Sequence, residues 1–383
     1  MLLKNAVVYG DDFVPRQGDV AVEGSRIRAT GDTVNSLGKE RVVDLSGLTL
    51  LPGFIDIHIH GCAGADTCDG TPETLETISA CLARRGVTSF CPTSMTLPYE
   101  QLENIFHNIR DCRGRLSGAY IQGINMEGPY IAAKKKGAQN GAFVRPPDIE
   151  EFRRLYSAAD GGIRLVDIAP EEPGAMDFIR EIQPICPVSI AHTNADYDTV
   201  CMAFAQGARH ATHLFNAMNG LTHRAPGAVG AVFDTARKLG VRAELICDGF
   251  HIHPAALRIA FSQLGEDLSV VVSDSMRAAG HIDGEYTLGG QTVYVRQGQA
   301  LLEDGTIAAS TTNLHDEFKN LLKWGVPMRQ AVKSVTINPA RAIRADRDTG
   351  SITAGKLADL VALDDQLNIR LVMVQGQIKV NNL

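Results

Sequence analysis

Residues able to hold a metal ion are spaced along this chain so as to share a common centre. Pro52-Gly53-Phe54-Ile55-Asp56-Ile57-His58-Ile59-His60-Gly61 is a β-branched apolar run that ends in two imidazoles and is closed at both ends by glycine. Residues two apart on an extended strand face the same side, so His58 and His60 aim both rings at one spot. Two imidazoles alone are better explained by a strand carrying satisfied, partly buried histidines. The pair gains meaning from Glu127, His192, His213 and Asp274, each of which closes an apolar run and opens a turn. Glutamate and histidines from separate strand ends make a hard-to-borderline divalent site, suited to Zn²⁺ or Fe²⁺, with room left for water. An ion so held lowers the pKa of its water and polarises a carbonyl. Asp274, in Val271-Val272-Ser273-Asp274-Ser275, is then placed to take the water's proton and deliver it to a leaving amine, which is amide hydrolysis. Singly, each residue has a plainer reading: Glu127 caps a turn and His213 packs on Phe215. Their joint position at strand ends is what makes a constellation.

The elements that must position these residues follow from the patterning. The apolar runs are Gly53 to His58, Val87 to Pro92, Tyr120 to Glu127, Ile163 to Pro170, Pro187 to His192, His210 to His213, Val241 to Asp248 and Leu268 to Asp274. Helical candidates lie between them, among them Pro72 to Arg85, Tyr99 to Arg110, Ile149 to Tyr156, Ala195 to Ala205 and Pro254 to Leu264. Strands alternating with helices in this number predict an α/β fold, a closed (β/α)8 TIM-like barrel whose active site lies where the strand C-termini meet. An open doubly wound sheet is the alternative, but it would spread those ends along a line. Short strands with tight turns occupy both chain ends: Leu3 to Tyr9, Asp19 to Val22, Arg26 to Ala29 and Val42 to Leu50, then Gly355 to Leu363, Ile369 to Val374 and Ile378 to Val380. They predict one small β-sandwich domain of residues 1–52 plus 350–383 around a barrel of residues 53–349. His281 to Ser310 reads as inserted hairpins, and Asn313 to Trp324, Pro327 to Val335 and Asn338 to Ile343 as closing helices.

Composition bounds the function. The 383 residues are 44% hydrophobic and 21% charged, ordinary for a soluble enzyme, and the net charge of −7 speaks against nucleic acid or an anionic membrane as partner. No run approaches the ~18 apolar residues of a membrane helix. Eight cysteines are scattered without a Cys-x-x-Cys pair, and several sit in apolar stretches, so a reducing, cytoplasmic setting is expected.

The motifs His58-Ile59-His60, Glu127-Gly128-Pro129-Tyr130, Ala191-His192-Thr193-Asn194-Ala195, Thr212-His213-Leu214-Phe215-Asn216-Ala217-Met218 and Asp248-Gly249-Phe250-His251 resemble the amidohydrolase superfamily. Within it they are most similar to the N-acetylglucosamine-6-phosphate deacetylases, over nearly the whole chain. The resemblance implies metal ligation by Glu127, His192 and His213, an acid/base role for Asp274, and a second metal supported by His58 and His60, so that one or two ions are open. It also implies that Asn216, Ala217 and His251 hold a sugar phosphate, with Arg224 reaching in from the partner of a homodimer, and that Gln139 lies near the substrate carbonyl where some members carry histidine. Arginine's planar fork suits phosphate oxygens. Arg277 and the run Lys134-Lys135-Lys136 offer positive potential near an anionic ligand, although the lysines read first as a solvated loop. The expected reaction is hydrolysis of N-acetylglucosamine 6-phosphate to glucosamine 6-phosphate and acetate, with the galactosamine epimer as the close alternative. Cyclic-amide or aminopurine hydrolysis is the more distant one.

Overall fold

A computed structural model describes residues 1–35, 38 and 40–383. Parallel strands alternate with helices through the middle of the chain. The strands are Phe54–Ile59, Val87–Pro92, Tyr120–Ile121 with Ile124–Met126, Ile163–Ile168, Val188–Ile190, His210–Ala211, Arg242–Leu245 and Ser269–Val271. Three of these segments form one parallel sheet, ordered Tyr120–Ile121, Val87–Pro92, Phe54–Ile59; a six-stranded sheet runs in chain order from Ile124–Met126 to Ser269–Val271. Every residue of Phe54–Ile59 is buried, as in a parallel strand covered on both faces.

The run expected over Tyr120 to Glu127 is broken at Gly123. A Cβ there would stand 2.1 Å from Arg164 Cγ and 2.5 Å from Gly162 O, so only glycine lets the neighbouring chain approach. Backbone hydrogen bonds join the sheets at this break and at the far edge: Ser94 N donates to Asn125 O (3.0 Å), and Asp274 N to His58 O (2.9 Å).

Helix starts follow their capping residues. Thr71 caps Pro72–Arg84 with proline in the first turn, Asp196 caps Tyr197–Gln206 by accepting from Thr199 N, and Asn313 caps Leu314–Lys323 by accepting from Asp316 N. Other helices start without a side-chain cap, among them Ala175–Ile182 and Gly227–Leu239. The second opens Gly227-Ala228-Val229-Gly230 directly after a proline, which reads as loop, and it is held as a helix by the burial of Gly227 through Val232.

Strands from both chain ends meet in one eight-stranded sheet, ordered Gln377–Asn381, Ile369–Val374, Leu360–Leu363, Thr49–Pro52, Leu2–Tyr9, Pro15–Glu23, Arg26–Gly31, with Val42–Asp44 beside Leu2–Tyr9. The single strand expected from Val42 to Leu50 is two, parted at Gly47 with φ +78°. Alternation sorts the faces of this sheet: Leu360 and Ala362 join an apolar cluster with Leu3, Val20 and Ile27, whereas Val361 and Leu363 pack into the main core. The segment 281–310 supplies a four-stranded antiparallel sheet, Gly284–Leu288 through Ile307–Ala309. No helix among the described residues is long and apolar enough to cross a membrane.

Candidate active site

Glu127 is the hub of the site. It follows the strand Ile124–Met126, and the residue after it must be glycine: Gly128 has φ +73° and a Cβ there would lie 2.1 Å from Thr96 Oγ1. The two carboxylate oxygens face different partners. Oε1 lies 3.1 Å from His192 Nε2 and 3.1 Å from His213 Nε2, while Oε2 lies 3.2 Å from His60 Nε2. His58 Nε2 stands 3.6 Å from Oε1 and 3.6 Å from Asp274 Oδ1, and Asp274 Oδ1 is 3.3 Å from His60 Nε2. The strands predicted to run into His192, His213 and Asp274 stop short of them. Each of these residues instead turns through a left-handed backbone, with φ of +42°, +27° and +45°, which swings the side chain from the strand axis toward the hub.

The donor set fits a divalent cation. Two triads, His58/His60/Glu127 and Glu127/His192/His213, have ligand atoms within 4.8 Å of one another, and all are buried. His192 Nδ1–H donates to Lys135 O at 2.8 Å, which leaves the Nε2 lone pair for coordination. His58 Nδ1 does the same to Glu244 Oε2 at 3.0 Å, and its buried Nε2 has no hydrogen-bond partner among the described residues. Burial pushes the Glu127 carboxyl up, but the charge of His58 and the hydrogen bonds of His192 and His213 outweigh it and hold it well below the usual range. Burial likewise favours neutral His60, yet its hydrogen bonds to Asp274 and Glu127 push it up to about 10. A buried pocket that draws protons onto its imidazoles is one that calls for positive charge.

Above the hub opens a cavity of about 540 Å³ whose walls include Asn216, Ala217, His251 and Asp274. His251 Nδ1 is 2.7 Å from Asp248 Oδ2. Burial lowers its pKa, but that hydrogen bond and charge outweigh it, so the ring is raised toward the cationic form that suits an oxyanion. Asn216 Nδ2 donates to His213 O at 3.2 Å, and Ala217 holds φ +52°. Gln139 lines the cavity but spends its amide on the protein: Nε2 donates to Glu127 Oε2 (2.7 Å) and Oε1 accepts from Thr96 N (2.6 Å). Arg224 is exposed and does not line the cavity of its own chain.

A family model described as "Amidohydrolase family" matches residues 49–379. The chain belongs to the amidohydrolase family. It is similar to the N-acetylglucosamine-6-phosphate deacetylase of Bacillus subtilis (strain 168), 35% identical over 386 residues that cover 99% of this chain and 96% of that one. The N-acetylgalactosamine-6-phosphate deacetylase of Escherichia coli O157:H7 is 36% identical over 332 residues, covering 86% and 87%. Among solved structures, a variant of the Mycobacterium smegmatis N-acetyl-D-glucosamine-6-phosphate deacetylase in complex with N-acetyl-D-glucosamine-6-phosphate superposes with a TM-score of 0.91 at 31% identity, covering 100% of this chain and 99% of that one.

Two features of this amidohydrolase site lay outside the sequence reading. Glu244 is fully buried and binds His58 Nδ1, His210 Nε2 (3.0 Å) and the backbone N of His213 (3.2 Å), so one carboxylate steadies two candidate ligands. Burial raises its pKa, but His58 and His210 hold it at about 2. The cavity wall also takes Asp304, Thr306, Ile307 and Ala308 from the inserted hairpins. Two expectations change. Lys134, Lys135 and Lys136 are part of the cavity wall, not merely a solvated loop. Arg277 does not line the cavity: its guanidinium binds Asp69 (2.6 Å) and Thr287 O (3.0 Å) and lies 3.8 Å from Asp66.

Proposed function

We propose that this amidohydrolase removes the acetyl group of N-acetyl-D-glucosamine 6-phosphate, giving D-glucosamine 6-phosphate and acetate in amino-sugar breakdown. The observation that carries the reading is the buried carboxylate of Asp274 beside the Glu127–histidine hub, at the base of a cavity walled by His251 and three lysines. Zinc or iron, one ion at Glu127, His192 and His213 with His58 and His60 offering a second position, would supply Lewis acidity toward water and the amide carbonyl. Asp274 is pushed up by burial but held low by His58 and His60, so it is ionised and able to accept a proton. It takes that proton from the attacking water and returns it to the amine nitrogen as the C–N bond breaks. His251, Asn216 and the Ala217 backbone grip the sugar phosphate, with Arg224 completing the grip from the second subunit of a homodimer. Gln139 is placed to fix the Glu127 carboxylate beneath the substrate carbonyl.

The architecture we infer is a (β/α)8 barrel of residues 53–349 and a small β-sandwich domain of residues 1–52 and 350–383. In support, the hydrogen bonds Ser94 N to Asn125 O and Asp274 N to His58 O link the edges of the two parallel sheets, and the terminal sheet has an apolar cluster of its own. A cytoplasmic location accords with eight cysteines, all free. The Escherichia coli relative keeps the galactosamine epimer as the second reading. Acetate release by metal-supplemented protein from the two N-acetylhexosamine 6-phosphates and from the unphosphorylated sugar tests both. Preference for the gluco epimer is expected, and no release from any of them, with metal bound, would sink the substrate assignment.

A further inference from the structure

A second cavity, of about 220 Å³, lies at the other end of the parallel strands from the Glu127 hub. Val188, His210 and Arg242, the first residues of three neighbouring strands, line it, and no described residue lines both cavities. Its chemistry is one-sided. Arg209, Arg242, Arg341 and Arg344 line it and no carboxylate among the described residues is in its wall, although the chain as a whole carries a net charge of −7.

Neighbouring groups compensate these arginines only in part. Arg209 Nη1 donates to Phe204 O (2.5 Å) and Ala208 O (2.7 Å), and Arg344 donates to Pro184 O (3.1 Å) and Gln183 O (2.7 Å). Those carbonyls fix the side chains without neutralising them, and a guanidinium has five N–H donors, so both arginines keep charge and free donors. Arg341 pairs with Asp267 at 2.9 Å, but Lys333 already holds that carboxylate at 2.6 Å. Arg242 is the least satisfied. Its Nε is buried with no hydrogen-bond partner among the described residues, and burial followed by the charge of Arg341 draws its pKa down in spite of Asp346 and Asp267. His210, only 2% exposed, also has an Nδ1 without a partner. A half-buried cation lacking a close counter-charge is unfavourable unless something supplies one, and several like charges around one recess concentrate anions there.

We infer that this cavity is a binding site for a phosphate-class oxyanion, either free phosphate or the phosphate of a small phosphomonoester. Planar guanidinium forks match tetrahedral oxyanions through paired hydrogen bonds, which a lysine cluster would not do. The volume lies below the ~300 Å³ at which drug-sized ligands begin to be held, so it suits an ion or a short ester rather than a nucleotide.

The test is thermal unfolding of the whole protein in sodium phosphate, in glucose 6-phosphate and in sodium chloride of matched ionic strength, for the wild type, Arg242→Gln and Arg344→Gln. Phosphate entering the catalytic cavity is common to all three proteins and cancels in the comparison. The expected result is a rise in wild-type Tm over chloride that falls by half or more in both variants, with a phosphate Kd at least tenfold weaker by calorimetry. If the part of the rise that the variants lose is larger in glucose 6-phosphate than in phosphate, an ester is the occupant, and the reverse identifies the free ion. Equal shifts in all three proteins, or none in any, overturn the site and leave the deacetylase reading untouched. Arg344 is exposed, so its variant folds even where Arg242→Gln does not.

Discussion

Asp274 and Glu244 are both buried carboxylates beside His58, yet they do different work because of what else they touch. Asp274 faces the cavity, while Glu244 is enclosed by His58, His210 and the His213 backbone. Asp274→Asn keeps the size and removes the proton acceptor. Turnover should fall by about 10²–10⁴-fold while metal content by elemental analysis stays the same; loss of metal alongside activity would instead make Asp274 chiefly a ligand. Glu244→Gln should leave turnover at saturating metal nearly intact but weaken metal affinity by roughly 10–100-fold, read by competition with a chelator, because His58 and His213 lose their orienting contact. The sequence made Asp274 legible, since it ends an apolar run beside a turn. Glu244 was hidden: it lies inside such a run and its partner His58 is 186 residues away. The same holds for Gln139, whose position was readable but whose contact with Glu127 depended on how one loop folds back.

At the scale of elements, period-two and capping signals located strands and helix starts well, and strand ends poorly. Runs of apolar residues continue through His192, His213 and Asp274, whereas the hydrogen-bonded ladder stops where φ turns positive, and hydrophobicity does not report φ. The terminal sheet was visible from both ends because its strands alternate, but the burial of an acid beside it was not. Asp359 is buried, accepts from Gln375 N (2.8 Å) and Thr349 Oγ1 (3.0 Å), and burial, against those two bonds, pushes its carboxyl from 3.8 up to about 6. Folded protein therefore binds the proton more tightly than unfolded protein does. The resulting stability is fully present below about pH 4 and is lost as pH rises through about 6, for a total of roughly 3 kcal/mol at ~1.4 kcal/mol per pKa unit. Asp359→Asn keeps an acceptor for Gln375 N and never ionises. Its Tm should exceed that of the wild type most at neutral pH and least near pH 4; a Tm difference constant across that range would assign the effect to packing alone.

Arg224 is exposed, sits in the turn before Gly227–Leu239 and stays out of the cavity that His251 and Asp274 share. An arginine in that position serves its own site only by rearranging the turn, and serves a neighbour's site simply by being presented. In a two-fold dimer the two arrangements have opposite consequences for mixed subunits. Arg224→Ala and Asp274→Asn should each be nearly inactive as homodimers. If Arg224 acts across the interface, a mixed dimer combines the intact Asp274 of one subunit with the intact Arg224 of the other, which restores one site and leaves the second doubly defective. Random mixing of equal amounts then returns about a quarter of wild-type activity, since about half the dimers are mixed and each has one working site of two. If Arg224 serves its own subunit, every site carries one defect whichever chains associate, and co-expression recovers nothing. Acetate release from co-expressed, co-purified subunits separates these outcomes. Recovery without dimers in sedimentation would reject both and point to a larger assembly.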